Sequence, residues 1–213
     1  MILTILQNKF LEKFFNLTQE FYLTGGTALS AFYLKHRNSV DLDLFTHEDA
    51  SFQRADNFVN EVCARLDILS QRVENTSFFK HFSVGPKEEP LTLHFSKDYS
   101  DHLKPPNRFG EILVDSLDDI TANKICATLG RTEIKDLVDL YFLDKAGYAI
   151  ANYFDLAKQK DGGLAFETLA YTLSQFKISK IPPFMISPLT VDELKRYLEE
   201  TIQWLLSQSP PSP

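Results

Sequence analysis

Cysteine is nearly absent from this chain of 213 residues: Cys63 and Cys126 are the only two, far apart in sequence. That excludes a disulfide framework and the paired spacing of a zinc site, and both thiols are expected to be reduced and in or near the core of a cytoplasmic protein. No apolar run approaches the length that spans a bilayer. The apolar N-terminus is broken by Lys9, Glu12 and Lys13, with no basic leader or cleavage site, so a signal peptide is not expected. Positive charge is also in deficit, with 22 Lys and Arg against 29 Asp and Glu and a net charge of −7. A surface that grips nucleic acid everywhere through phosphates is therefore excluded, and a polyanion must meet a local basic patch. No internal repeat is detectable. What remains, 44% hydrophobic and 24% charged residues, is the composition of a soluble globular chain, long enough for one ordinary domain or two small ones.

Phe21 to Thr46, FYLTGGTALSAFYLKHRNSVDLDLFT, carries the densest chemical signal. Tyr22 and Leu23 lead as a strand into Thr24-Gly25-Gly26-Thr27, where glycine lets the backbone bend at positive φ and approach an anion without a Cβ in the way. Ala28, Leu29, Phe32 and Tyr33 then recur at helical spacing, so the free N–H groups of a helix start face whatever sits over the glycines, an arrangement suited to phosphate. After the basic turn Lys35-His36-Arg37-Asn38, residues 39 to 45 alternate polar and apolar. This predicts a strand with Asp41 and Asp43 on one face. Adjacent carboxylates repel unless a cation lies between them, and a hard divalent ion such as Mg²⁺ takes one or two carboxylates and fills its other positions with water and phosphate. Either piece alone also describes an ordinary turn or half-buried strand. Gly162-Gly163 precedes a helix too, but no D-x-D strand follows it, and it reads as a plain loop.

Elsewhere the pattern is mostly structural. Leu3, Leu6, Phe10, Phe14 and Leu17 predict an amphipathic helix over 2–19. His47 to Ser70 reads as a second helix, with Phe52, Phe58, Val59, Val62, Leu66 and Leu69 inward and Glu48, Asp49, Arg54, Asp56 and Arg65 on its solvated face. Residues 72–75 and 77–84 read as strands, Gly85 to Pro90 as a turn, and Leu91 to Phe95 as another strand. In Leu117 to Leu143, Asp118 or Asp119 starts a helix that contains Lys124 and ends near Gly130, and a second helix carries Leu137, Val138, Leu140, Tyr141 and Phe142.

The run LTGGTALSAFYLKHRNSVDLDLF resembles the signature of the AbiEii/AbiGii-type toxin family of the nucleotidyltransferase superfamily. The resemblance implies an α/β fold: a polymerase-beta-like core of mixed sheet flanked by helices over 1–115, followed by a helical domain over 116–207 that closes over the nucleotide. It implies that Gly25, Gly26 and Thr27 cradle the triphosphate while Asp41 and Asp43 bind Mg²⁺ or Mn²⁺. A third carboxylate is usual on a later strand, and the position that lines up here is His94. That is a departure from the pattern. A third carboxylate would complete a second metal site, whereas a histidine can accept the proton itself; it can equally be an ordinary core or surface residue. Asp98 is a possible stand-in, and one-metal and two-metal mechanisms both stay open. A downstream block is matched in order by Lys124, Arg131, Lys135, Asp136 and Asp139. Positive charge over the triphosphate is what the chemistry asks of it, with Lys124 the first choice for that role and Asp136 either orienting a cation or binding nucleotide.

Residues 144–207 read as helices at 150–160 and 164–176, a proline-rich linker at 181–188, and a last helix opened by a Thr190/Glu193 capping box; 208–213 reads as a disordered tail. The activity expected is transfer of a nucleoside monophosphate from a triphosphate to an acceptor hydroxyl on RNA, such as a tRNA 3′ end, or on protein. The family resemblance implies the toxin of a toxin–antitoxin or phage-defence pair, with an antitoxin encoded alongside. A small-molecule (antibiotic) nucleotidyltransferase would show an acidic cleft, whereas a basic cleft around Arg37, Lys124 and Arg131 would favour RNA. A nucleotide-binding module without turnover is the third reading, motivated by His94.

Overall fold

The computed structural model describes residues 2–208. The expected tail therefore lies outside the described residues except for Gln208, which closes the last helix. The chain divides into two compact units, Met1–Ser116 and Leu117–Pro213.

The first unit is a mixed seven-stranded sheet with two helices on one face. Its strands are β1 (Tyr22–Thr24), β2 (Leu42–Thr46), β3 (Ser70–Asn75), β4 (Phe79–Val84), β5 (Leu91–Lys97), β6 (Asn107–Phe109) and β7 (Ile112–Val114), in the spatial order β3-β4-β5-β2-β1-β7-β6. β1 runs antiparallel to β2 and parallel to β7, and β2 runs parallel to β5. Period-two alternation decides the faces. Leu23, Leu42, Leu44, Leu93, Phe95 and Phe82 are buried. They pack under α1 (Ile5–Leu17) and α3 (Asp49–Leu66) in a cluster of rings in which Phe14, Phe21 and Phe95 lie 5.3–5.6 Å apart. Such contacts add roughly 0.5–1.5 kcal/mol per pair to the area they bury.

Several boundaries differ from the sequence expectation for local reasons. Helix α1 begins at Ile5, because Thr4 and Gln7 form a reciprocal capping box there. Its inward face is Phe10, Leu11, Phe14 and Phe15, with Leu3, Leu6 and Leu17 only half-buried. Gln7, a polar residue inside the helix, is fully buried, and its side-chain amide donates to the Ser39 and Val40 carbonyls at 3.0 Å each. The second helix ends at Leu66, where Asp67 turns left-handed (φ 54°), so Leu69 lies beyond it and is exposed rather than inward. Asp56 is not simply solvated: it takes Lys80 Nζ at 2.7 Å and Arg72 at 2.7 Å. Burial pushes its carboxyl up, but those two cations outweigh this and hold it below the usual range. The hairpin β6-β7 was marked by no motif.

The second unit is helical: α4 (Leu117–Gly130), α5 (Ile134–Lys145), α6 (Ile150–Lys160), α7 (Phe166–Ser174) and α8 (Val191–Gln208). Asp118 and Asp119 sit in the first turn of α4, where acids complement the helix dipole. The capping box at α8 is present, with Thr190 N donating to Glu193 Oε2 at 2.8 Å and Glu193 N donating to Thr190 Oγ1 at 3.2 Å. Helix α7 is shorter at both ends than 164–176. Cys63 is buried and Cys126 half-buried, and burial pushes both thiols up to about 11. Among the described residues no helix is long and apolar enough to cross a membrane.

Candidate active site

The glycine turn and the D-x-D strand meet because they flank one antiparallel pair. Thr24, the last residue of β1, is the register partner of Asp43 in β2. The next residue, Gly25, turns at φ +71° and opens the four-residue helix α2 (Gly25–Ala28), which continues as a π-helical stretch, Leu29–Leu34, closed by Lys35 N donating to Ser30 O five residues back. A Cβ placed on Gly25 would overlap Asp43 Oδ2 and lie 3.0 Å from its Cγ. Glycine is required here twice over, by backbone conformation and by the carboxylate filling the side-chain space. Gly26 meets the same constraint from another side, since a Cβ there would fall 2.5 Å from the Arg37 guanidinium.

The turn is held from behind. Thr27 Oγ1 donates to the Asp41 carbonyl, tying the helix start to the entry of β2, and Thr27 and Gly26 are both buried. Thr24 Oγ1 donates to Asp115 Oδ2 at 2.7 Å, Asp115 N donates to Leu23 O at 2.8 Å, and Tyr33 Oη donates to Asp115 O at 2.8 Å. Asp115, fully enclosed at the end of β7, thus clamps the last turn before the glycines; it lies in a stretch without any sequence motif. Arg37, from the basic turn, is 3% exposed, with its guanidinium behind Gly26.

Asp43 and Asp41 are placed differently. Asp43 is within β2, whereas Asp41 is half-buried one residue before its start, so the strand is shorter than the 39–45 expected. A titratable partner of Asp43 comes from β5: His94 is its register partner across the parallel pair, and His94 Nδ1 lies 3.0 Å from Asp43 Oδ1. Both side chains are about a quarter exposed, at 26% and 28%. His81, the register partner of His94 on β4, sets its ring 5.1 Å from that of His94. Burial and the neighbouring His94 lower the His81 pKa, against the opposing pull of Glu74 and Asp41. His81 was not singled out from the sequence, and only the strand register reveals it. Asp98 is not a stand-in carboxylate. It follows Lys97, whose register partner is Thr46, about 10 Å along the strand from His94. Its oxygens are occupied by Tyr22 Oη at 2.6 Å and Ser100 at 2.8 Å.

In the helical unit, Lys124 is drawn between two fully buried acids, with Nζ 2.9 Å from Asp136 Oδ1 and 2.6 Å from Asp139 Oδ2. Burial lowers the ammonium pKa, but Asp139 and Asp136 outweigh it and raise it. Asp136 also receives Arg131 Nε at 2.7 Å. Burial raises the Asp136 carboxyl, and Lys124 and Arg131 bring it down below the ordinary range. Lys135 reaches outward to Glu133 at 2.8 Å.

A mixed sheet flanked by helices, with a glycine turn against an acid of the neighbouring strand, is the nucleotidyltransferase architecture. Three solved structures share the fold. A Helicobacter pylori protein described as a candidate nucleotidyltransferase is 19% identical with a TM-score of 0.62, the match covering 95% of this chain and 92% of that one. JHP933 of Helicobacter pylori is also 19% identical, with a TM-score of 0.61 and coverage of 95% and 90%. The nucleotidyltransferase toxin MenT4 of Mycobacterium tuberculosis is 12% identical, with a TM-score of 0.57 and coverage of 96% and 83%. No protein with a curated description matches in sequence. The family described as nucleotidyl transferase AbiEii toxin, of type IV toxin–antitoxin systems, matches residues 9–165, and the chain belongs to that family.

Proposed function

We propose that the chain transfers a nucleoside monophosphate from a triphosphate to an acceptor hydroxyl, with Asp41 and Asp43 as metal ligands and Gly25, Gly26 and Thr27 receiving the polyphosphate. The observation that carries this reading is the contact between Gly25 and the Asp43 carboxylate, which puts an anion-accepting turn beside the acids. The donors fit a divalent ion: Asp43 and His94 offer oxygen and nitrogen 3.0 Å apart, partly open, with Asp41 at the strand entry. Bound there, such an ion would neutralise triphosphate charge and lower the pKa of the attacking hydroxyl. The acceptor hydroxyl gives its proton to water as its oxygen bonds to the α-phosphorus, the bond from that phosphorus to the β-bridging oxygen breaks, and pyrophosphate leaves. The backbone N–H groups of the turn favour the charge that gathers on the phosphates. Lys124, Arg131, Lys135 and Asp136 enter the proposal through the order of the family's downstream block, with Lys124 kept charged by its two acids.

Family membership supports a role as the toxin of a toxin–antitoxin pair, with an antitoxin as cognate partner and RNA, such as a tRNA 3′ end, or protein as acceptor. A small-molecule acceptor is the alternative, and it calls for an acidic cleft suited to a cationic substrate. The test is incubation of each labelled triphosphate with Mg²⁺ or Mn²⁺ and, separately, total RNA, total protein or aminoglycosides. Label is expected in one acceptor class with wild type and not with Asp43→Ala. Equal labelling by both proteins would remove Asp43 from the site.

A further inference from the structure

We propose that His94 is itself a metal ligand and that it tunes this site toward Mn²⁺ and away from Mg²⁺; the inference rests on the reading of Asp41 and Asp43 as metal ligands. Three observations carry it. His94 and Asp43 are direct register partners on adjacent parallel strands, so the sheet, and not only a side-chain rotamer, brings them together. Their nearest donor atoms, His94 Nδ1 and Asp43 Oδ1, are 3.0 Å apart. Neighbouring donors on one octahedral ion with bonds near 2.1 Å are separated by roughly 3 Å, so both atoms can bind one ion with little movement of the backbone. Both side chains are also partly exposed, at 26% and 28%, which leaves a path for an ion and its waters.

The consequence for selectivity follows from ligand chemistry. Mg²⁺ is a hard ion that favours oxygen throughout, whereas Mn²⁺, also drawn to oxygen, tolerates an imidazole nitrogen better than Mg²⁺ does. Replacing a carboxylate by an imidazole at the third ligand position removes a negative charge and adds a nitrogen donor. The lost charge weakens both ions, and the nitrogen donor offsets that loss more for Mn²⁺ than for Mg²⁺. If His94 instead only donates a hydrogen bond that orients Asp43, no nitrogen would coordinate the ion.

The experiment compares wild type, His94→Asp and Asp43→Asn, each checked for an unchanged thermal unfolding profile. Mn²⁺ and Mg²⁺ affinities are measured by calorimetry, and electron spin echo modulation of bound Mn²⁺ reports coordinated imidazole nitrogen. Wild type is expected to show nitrogen modulation, and His94→Asp to lose it while the ratio of Mn²⁺ to Mg²⁺ affinity falls on the order of tenfold. Bound Mn²⁺ without nitrogen modulation in wild type, or the same affinity ratio in His94→Asp, overturns the proposal while leaving Asp43 as a ligand. Metal binding that survives Asp43→Asn overturns the underlying site assignment, and no Mn²⁺ binding by wild type overturns both.

Discussion

Gly25 and Asp43 occupy each other's space: the glycine leaves out the side chain that the aspartate carboxylate replaces, and Gly25 directly follows Thr24, the residue paired with Asp43 across the antiparallel strands. Substituting Gly25 by alanine must therefore do two things. The left-handed backbone costs about 1–2 kcal/mol for a residue with a Cβ, and the carboxylate must move. Misplacement of a reacting group by about 1 Å costs on the order of a hundredfold in rate. Gly25→Ala is expected to unfold at a measurably lower urea concentration, in keeping with that cost, and to lose nucleotide transfer by about that factor while still folded; near wild-type transfer would show that the contact does not matter.

Gln7 is the unexpected support of the D-x-D segment. Its amide holds the Ser39 and Val40 carbonyls, the two residues immediately before Asp41. Gln7→Ala is expected to destabilise the chain by about 1–3 kcal/mol through the bonds lost, and to raise hydrogen exchange at residues 39–41 more than in α3. Uniform exchange would assign Gln7 to general packing.

The Lys124, Asp136 and Asp139 triad predicts both a mutational and a pH response. Lys124→Met strands two buried carboxylates and should cost roughly 3–5 kcal/mol, whereas Lys124→Met combined with Asp136→Asn and Asp139→Asn should recover much of that. The Asp136 carboxyl is depressed, so its contribution is present above the unfolded carboxyl pKa and is lost as pH falls through the folded value. The Lys124 ammonium is raised, so its contribution is present below the unfolded lysine pKa and is lost as pH rises through the folded value. Urea midpoints are expected to be flat between about pH 5 and pH 10 in this respect and to fall at both ends. A Lys124→Met chain whose acid limb matches wild type would contradict the coupling.

What the sequence made legible was local. The turn at Gly25, the apolar residues behind it and Asp43 lie in one short run, and antiparallel strands joined by one short helix keep sequence neighbours together in space. The structure shows what that run does not encode. His94 meets Asp43 only because β2 and β5 pair in parallel across an intervening helix and hairpin. His81 arrives one strand further on. Arg37 reads as part of a basic turn, and Gln7 carries no sequence signal, because charge and amide groups are usually solvated; both are buried against backbone carbonyls or the glycine turn. The π-helical stretch Leu29–Leu34 escaped because its period differs from that of an α-helix by less than six residues can resolve.

Anomalous diffraction from crystals soaked with Mn²⁺ addresses the central claim, that one metal pocket is built where the glycine turn meets the acid strand. The account predicts an anomalous peak in bonding range of an Asp43 carboxylate oxygen, on the side of Gly25 and His94. Strong peaks elsewhere, with none at Asp43, would contradict it.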